Sequence, residues 1–130
     1  MKFRATFLAM ILAFLPLQQA VAQELVDRYI AVIGVEDLYN SKGQRLTEPW
    51  QILRQDRANY HRFGIRHDGD TGDQFFASID NRAIMERMVM NGYIDPAASN
   101  TLVNGYADSV LVEIFGEGDR GDYVKVTIFH

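Results

Sequence analysis

Three carboxylates, Asp68, Asp70 and Asp73, fall inside one short glycine-bearing run, RHDGDTGDQ at 66–74. Hard oxygen ligands gathered in a turn are what Ca²⁺ requires, so a Ca²⁺-binding module on this run is one expectation for the chain. The spacing departs from a helix-loop-helix calcium loop. Gly72 stands where a third acidic ligand belongs, and Ile79 stands where the bidentate glutamate belongs. Asp and Gly are equally the material of a solvated turn, which is the simpler expectation, and no other cofactor is indicated.

A second set is basic. Arg54, Arg57 and His61 stand at spacings of three and four, with Arg62 beside them. Guanidinium forks receive oxyanions through paired N–H donors, so such a stripe on a helix suits an acidic protein or a small anionic ligand. The competing expectation is a solvated face paired with the chain's own acids.

A third set has the residue types of a small hydrolase: His61, Asp56 and a serine such as Ser41 or Ser78. There is no Gly-x-Ser-x-Gly elbow, and on a helix Asp56 and His61 lie on different sides, so no catalytic residue is assigned. Asp56 is instead expected to be a buried structural carboxylate, bonded to a backbone amide or to an arginine such as Arg82. Met85, Met88 and Met90 have thioethers that suit Cu(I), but Met90 points to a different side of its helix, and the first two read as core.

The elements that must position these groups can be read from capping and period. Thr47 as N-cap, Glu48 against the helix N-terminus, Pro49 in the first turn and Gly64 as a left-handed stop predict one helix over 47–64. At about 100° per residue Ile52, Leu53, Tyr60 and Phe63 share its inner arc, with Asp56 among them, while Arg54, His61 and Arg62 face out. Before it, RYIAVIGV at 28–35 reads as a buried strand. That strand turns at Asn40-Ser41-Lys42-Gly43 into 44–46, an N-terminal hairpin. Asp80 caps a helix over 81–91 that Gly92 ends, and Asp95-Pro96 starts a shorter one that stops at Gly105. Residues 109–115 and 122–130 alternate strictly and form a C-terminal hairpin across GEGDRG, where Arg120-Gly121-Asp122 reads as turn material rather than an adhesive motif. The order gives an α+β fold, a small antiparallel sheet of the N-terminal and C-terminal hairpins packed against about three helices.

The first 22 residues read as a secretory signal. Lys2 and Arg4 precede an apolar stretch at 7–15, Pro16 ends it, and Ala20-Val21-Ala22 is a small-x-small cleavage site. That leaves 23–130 as a single α+β domain, secreted or periplasmic, with no transmembrane segment once the signal is removed. The absence of cysteine excludes disulfides and thiolate chemistry. Net charge is −4 and becomes more negative when Lys2 and Arg4 leave, which argues against nucleic acid as a partner. Against that balance, 44–67 hold Arg45, Arg54, Arg57, Arg62 and Arg66 but only Glu48 and Asp56. A basic island on an acidic protein makes a non-enzymatic binding module the leading functional expectation, ahead of the Ca²⁺ module and the small hydrolase. Nothing in the sequence sets the oligomeric state.

Overall fold

The computed structural model of the chain describes residues 1–3, 9–17, 23–105 and 108–130. The proposed cleavage site at Ala20-Val21-Ala22 and the start of the apolar stretch at 7–15 lie outside the described residues. The fold is α+β. Strands β1 (Glu24–Val32), β2 (Tyr93–Ile94), β3 (Ser109–Glu117) and β4 (Arg120–Ile128) form one open sheet in the order β1-β3-β4-β2. Helices α1 (Pro49–Ala58), α2 (Ile79–Ala83), α3 (Met85–Met90) and α4 (Pro96–Asn104) complete it. Among the described residues no helix is long and apolar enough to cross a membrane.

The core follows the alternation of β3 and β4. Val110, Val112 and Ile114 are buried on one side of β3, opposite Val124 and Val126 of β4 and Tyr29 and Ala31 of β1. Ile52 and Leu53 of α1, Met85 and Met88 of α3, and Ala98 and Leu102 of α4 pack against that side. The two methionines thus fill core space, while Met90 is exposed. The other face of the sheet carries Glu113 between Arg28 and Lys125, and Phe115 stacked on Tyr123 with ring centroids 5.1 Å apart.

Several local expectations change in detail. The sheet is mixed rather than wholly antiparallel, since β2 runs parallel to β4. The first strand does not return on itself. Gly34 leads into a 3₁₀ turn at Val35–Leu38, and only a single bridge, Tyr39 to Arg45, spans the turn that follows, so β1 takes β3 as its partner. The tight turn of the C-terminal hairpin is confined to Gly118 and Asp119, which places Arg120-Gly121-Asp122 at the start of β4, with Gly121 buried against Phe75 and Met88.

The helix over 47–64 begins one residue later than Thr47 implies. Glu48 is the N-cap, and Gln51 Oε1 accepts from the amides of Thr47 and Glu48. It also changes winding. After Ala58 the chain widens into a π-turn at Asn59–Phe63 before the left-handed Gly64, whose φ is 65°. A wider turn advances fewer degrees per residue, so Phe63 is carried out of the inner arc and is 50% exposed. The helix over 81–91 is two pieces, α2 capped by Ser78 and α3 starting after a break at Ile84. Helix α4 runs from its Asp95 cap to the left-handed Gly105 as expected.

Candidate functional site

The acidic run at 66–74 lies along the free edge of β1. Unpaired strand amides there need acceptors, and the loop supplies them. Ile30 N–H donates to Thr71 Oγ1 at 2.8 Å and Val32 N–H to Asp70 Oδ1 at 2.7 Å, while Ile30 O accepts from Thr71 N–H at 2.9 Å. At the other end Asp27 Oδ2 accepts from the amides of Gln74 and Phe75. The three candidate Ca²⁺ ligands are therefore placed apart in role. Asp68 is exposed, Asp70 bonds the backbone of Val32 and His67, and Asp73 turns inward to Arg57, His61 and the Phe76 amide. Among the described residues no group of three or more His, Asp or Glu is arranged to hold a metal ion.

Arg57 leaves the basic stripe. It sits about 100° round the helix from Asp56, at the edge of the inner arc, and its long side chain folds inward until it is 0% exposed. Nε donates to Asp56 Oδ2 at 2.7 Å, and Nη1 donates to Asp73 Oδ1 at 3.0 Å and Thr71 O at 3.1 Å. The guanidinium carbon lies 3.9 Å from the ring centre of Tyr29 and 4.6 Å from that of Tyr60, a cation held between aromatic faces. Asp56 is thus buried and bonded to an arginine as expected, but to its own neighbour Arg57 rather than to Arg82.

His61 is half-buried and its Nε2 lies 2.9 Å from the same Asp73 Oδ1. It belongs to the network and not to a nucleophile. Ser78 Oγ caps α2 by accepting from Asn81 N–H, and Ser41 is exposed in its turn. A second histidine ties the other end of the loop. His67 Nε2 lies 3.0 Å from Glu36 Oε2, and Nδ1 lies 3.4 Å from Asp70 Oδ2 and 3.9 Å from Asp37 Oδ2. Asp37 in turn accepts from Asn59 and the Gly34 amide.

One guanidinium shared between two buried carboxylates does not fully compensate either. Burial pushes the Asp56 carboxyl up to about 7 against the pull of Arg57. Burial likewise raises Asp37, and it pushes the Tyr29 phenol well above its ordinary range. For His67 burial acts against the charge, but the hydrogen bond to Glu36 and the nearby Asp37 and Asp70 outweigh it and raise its pKa.

The sign of the pH dependence follows. In the folded state Asp56 holds its proton up to about pH 7, whereas the unfolded chain releases it near 3.8. Its contribution to stability is full below that lower value and is lost as pH climbs to about 7. His67 acts in the same direction, from its unfolded value of 6.5 up through its raised folded one. Glu36, lowered by hydrogen bonds from its own backbone and from His67, acts oppositely, but only below its unfolded value of 4.5. The protein should therefore melt at least about 5 °C higher at pH 5 than at pH 8, and Asp56→Asn should flatten most of that difference. A melting point that rises from pH 5 to pH 8 would contradict this.

With Arg57 and His61 turned inward, Arg54 and Arg62 remain exposed on the outer side of α1 and its π-turn. With Gln55 and Ala58 of α1 and Ile79, Arg82 and Ala83 of α2 they line a hollow of about 250 Å³ between the two helices. Arg54 lies over the Trp50 ring at 4.8 Å and Arg62 over Phe63 at 5.0 Å, so both stems are held along the helix. Arg82 is 8% exposed, and its Nη1 donates to Phe76 O at 2.8 Å and Ala77 O at 3.1 Å. Sequence reasoning gave Arg82 only to Asp56. Its place beside α1 depends on how α2 packs on α1, which no spacing within the segment signals. Among the described residues none of Arg54, Arg62 and Arg82 forms an ion pair with a carboxylate.

No family model matches the chain, and neither the curated proteins nor the solved structures contain a significant match to it.

Proposed function

We propose that this is a secreted or periplasmic, non-enzymatic binding module that captures an acidic partner on the α1–α2 face. The observation that carries the reading is the arginine-lined hollow. Three arginines line it, and among the described residues none of them has a carboxylate to pair with, although acids outnumber bases overall. An unneutralised basic patch on an acidic molecule draws acidic surfaces toward itself. The partner-contacting set is revised accordingly: Arg54 and Arg62 stay, Arg82 joins them, and Arg57 and His61 become the scaffold behind them. The rival Ca²⁺ module loses support because Asp70 and Asp73 are spent on the β1 edge and on Arg57. The rival hydrolase loses support because Ser78 Oγ is taken up as the α2 cap and, among the described residues, no serine hydrogen-bonds to His61.

The test is capture from periplasmic or culture-supernatant extract with wild-type protein and with the Arg54→Glu, Arg62→Glu double variant, at low and at physiological salt. Both positions are exposed, so the fold should change by no more than about half a kcal/mol. Specific capture should fall at least about tenfold with the reversal and weaken with salt, because exposed charges are screened over about 8–10 Å. Identical captured sets in all lanes would remove this face as the binding surface.

A further inference from the structure

Among the described residues two arginines are buried, and they are treated very differently. Arg57 is met by the carboxylates of Asp56 and Asp73. Arg82, 8% exposed, is met only by two backbone carbonyls, and no carboxylate among the described residues pairs with it. A buried cation normally has a counter-charge, since desolvation without one is costly. Arg82 lines the hollow whose rim carries Arg54 and Arg62, so the absent counter-charge has a place to enter.

The chemistry of that counter-charge can be narrowed. Nη1 of Arg82 is committed to Phe76 O and Ala77 O. This leaves Nε and Nη2, the two donors on one edge of the guanidinium, whose spacing matches the two oxygens of a carboxylate. Beside the polar Gln55, the side chains of Ala58, Ala83 and Ile79 give the hollow an apolar wall that suits a short methylene stem better than a fully hydrated ion. A hollow of about 250 Å³ is below the usual range of about 300–1,000 Å³ for ligand pockets, and has room for one side chain of a partner whose remainder lies outside it. Two further exposed arginines at the rim are placed to meet acids flanking the anchor.

We infer that the hollow between α1 and α2 is an anchor pocket for a single aspartate or glutamate side chain of an acidic partner polypeptide, held edge-on by Arg82 and flanked by Arg54 and Arg62. This rests on the binding reading above and specifies the occupant. The reading needs only surface charge, whereas the anchor needs one carboxylate inserted beside Arg82.

The experiment is an NMR titration of the full folded domain with acetyl-Ala-Glu-Ala-amide, with acetyl-Ala-Gln-Ala-amide, and with inorganic phosphate. The glutamate peptide should shift the amides around Ala58 and Ala83 and bind at least about tenfold more tightly than the glutamine peptide, which differs only in its charge and one donor. Phosphate should bind more weakly than the glutamate peptide. Ala83→Leu fills the hollow from an exposed helix position without altering charge, and should reduce glutamate-peptide affinity at least about tenfold while leaving Arg54 and Arg62 intact. Arg82→Lys keeps the charge and loses the two-point fork, and should do the same. Because Arg82 also holds two carbonyls, it is Ala83→Leu that keeps the test decisive if the lysine variant misfolds.

Equal binding of the two peptides, phosphate binding as tightly as glutamate, or indifference to Ala83→Leu would each overturn the anchor. If the anchor fails while Arg54→Glu, Arg62→Glu still abolishes partner capture, the binding reading stands without it. If capture is also insensitive, both fall.

Discussion

Arg57→Ala is expected to cost about 3–5 kcal/mol, enough to leave a domain of ordinary stability, about 5–15 kcal/mol, close to unfolding. The loss is not that of a surface charge. Alanine strands the Asp73 carboxylate in the interior without its cation, leaves the Asp56 carboxyl without its donor, removes the donor to Thr71 O, and opens the space between the Tyr29 and Tyr60 rings. Urea denaturation should show a sharply lowered midpoint for Arg57→Ala and almost none of that loss for Arg54→Ala, one turn away and exposed. Because part of the penalty is that of a buried carboxyl group left without its donor, Arg57→Met combined with Asp56→Leu should be more stable than Arg57→Met alone. A near-neutral Arg57→Ala would mean that this side chain is not the buried hub.

Asp73→Ala should be the next most damaging change, at about 2–4 kcal/mol. Its Oδ1 accepts from Arg57 and His61, its Oδ2 accepts from the Phe76 amide at 2.6 Å, and the side chain is fully buried. Without it the loop at 66–74 loses its inner tether, and hydrogen exchange at the Thr71 and Phe76 amides should accelerate well before the rest of β1 opens. The same residue separates the structural role from the Ca²⁺ reading. A tether is needed with or without metal, so wild-type protein should melt within a degree or two in millimolar Ca²⁺ and in chelator, and Asp73→Ala should be destabilised equally in both. A metal ligand would behave otherwise, with Asp73→Ala near neutral in chelator and a Ca²⁺-dependent rise in melting temperature that the variant abolishes.

What the sequence discloses here is what is local. The β3–β4 hairpin is legible because period-two alternation at 109–115 and 122–130 has a single explanation. Helix α4 is legible because the Asp95 cap and Gly105 stop lie within one segment. Asp56 is expected in the core because a single acid amid apolar neighbours on a wheel must either find a partner there or lie at the edge of the packing. Its partner is not legible, because residues one apart on a helix diverge and only the length and bend of Arg57 bring the two charges together. Phe63 and Arg57 were misplaced for related reasons: one sits past a change to π winding, and the other sits at the arc's edge, where tertiary packing decides. The role of Asp70 and Asp73 depends on which strand is left at the sheet edge. That is hidden once β1 takes β3, far along the chain, as its partner instead of the segment after its own turn. The hollow beneath Arg54 and Arg62 needs α2 beside α1, a contact between segments that no period within either one encodes.

The division of labour among the arginines is the centre of the account, and arginine modification read by mass spectrometry tests it directly. The folded protein is treated with phenylglyoxal alone and again after saturation with the captured partner. Arg54 and Arg62 should be modified in the free protein and protected in the complex, while Arg57 should stay unmodified in both until the protein is unfolded. Modification of Arg57 in the folded protein, or equal modification of Arg54 and Arg62 with and without partner, would contradict it.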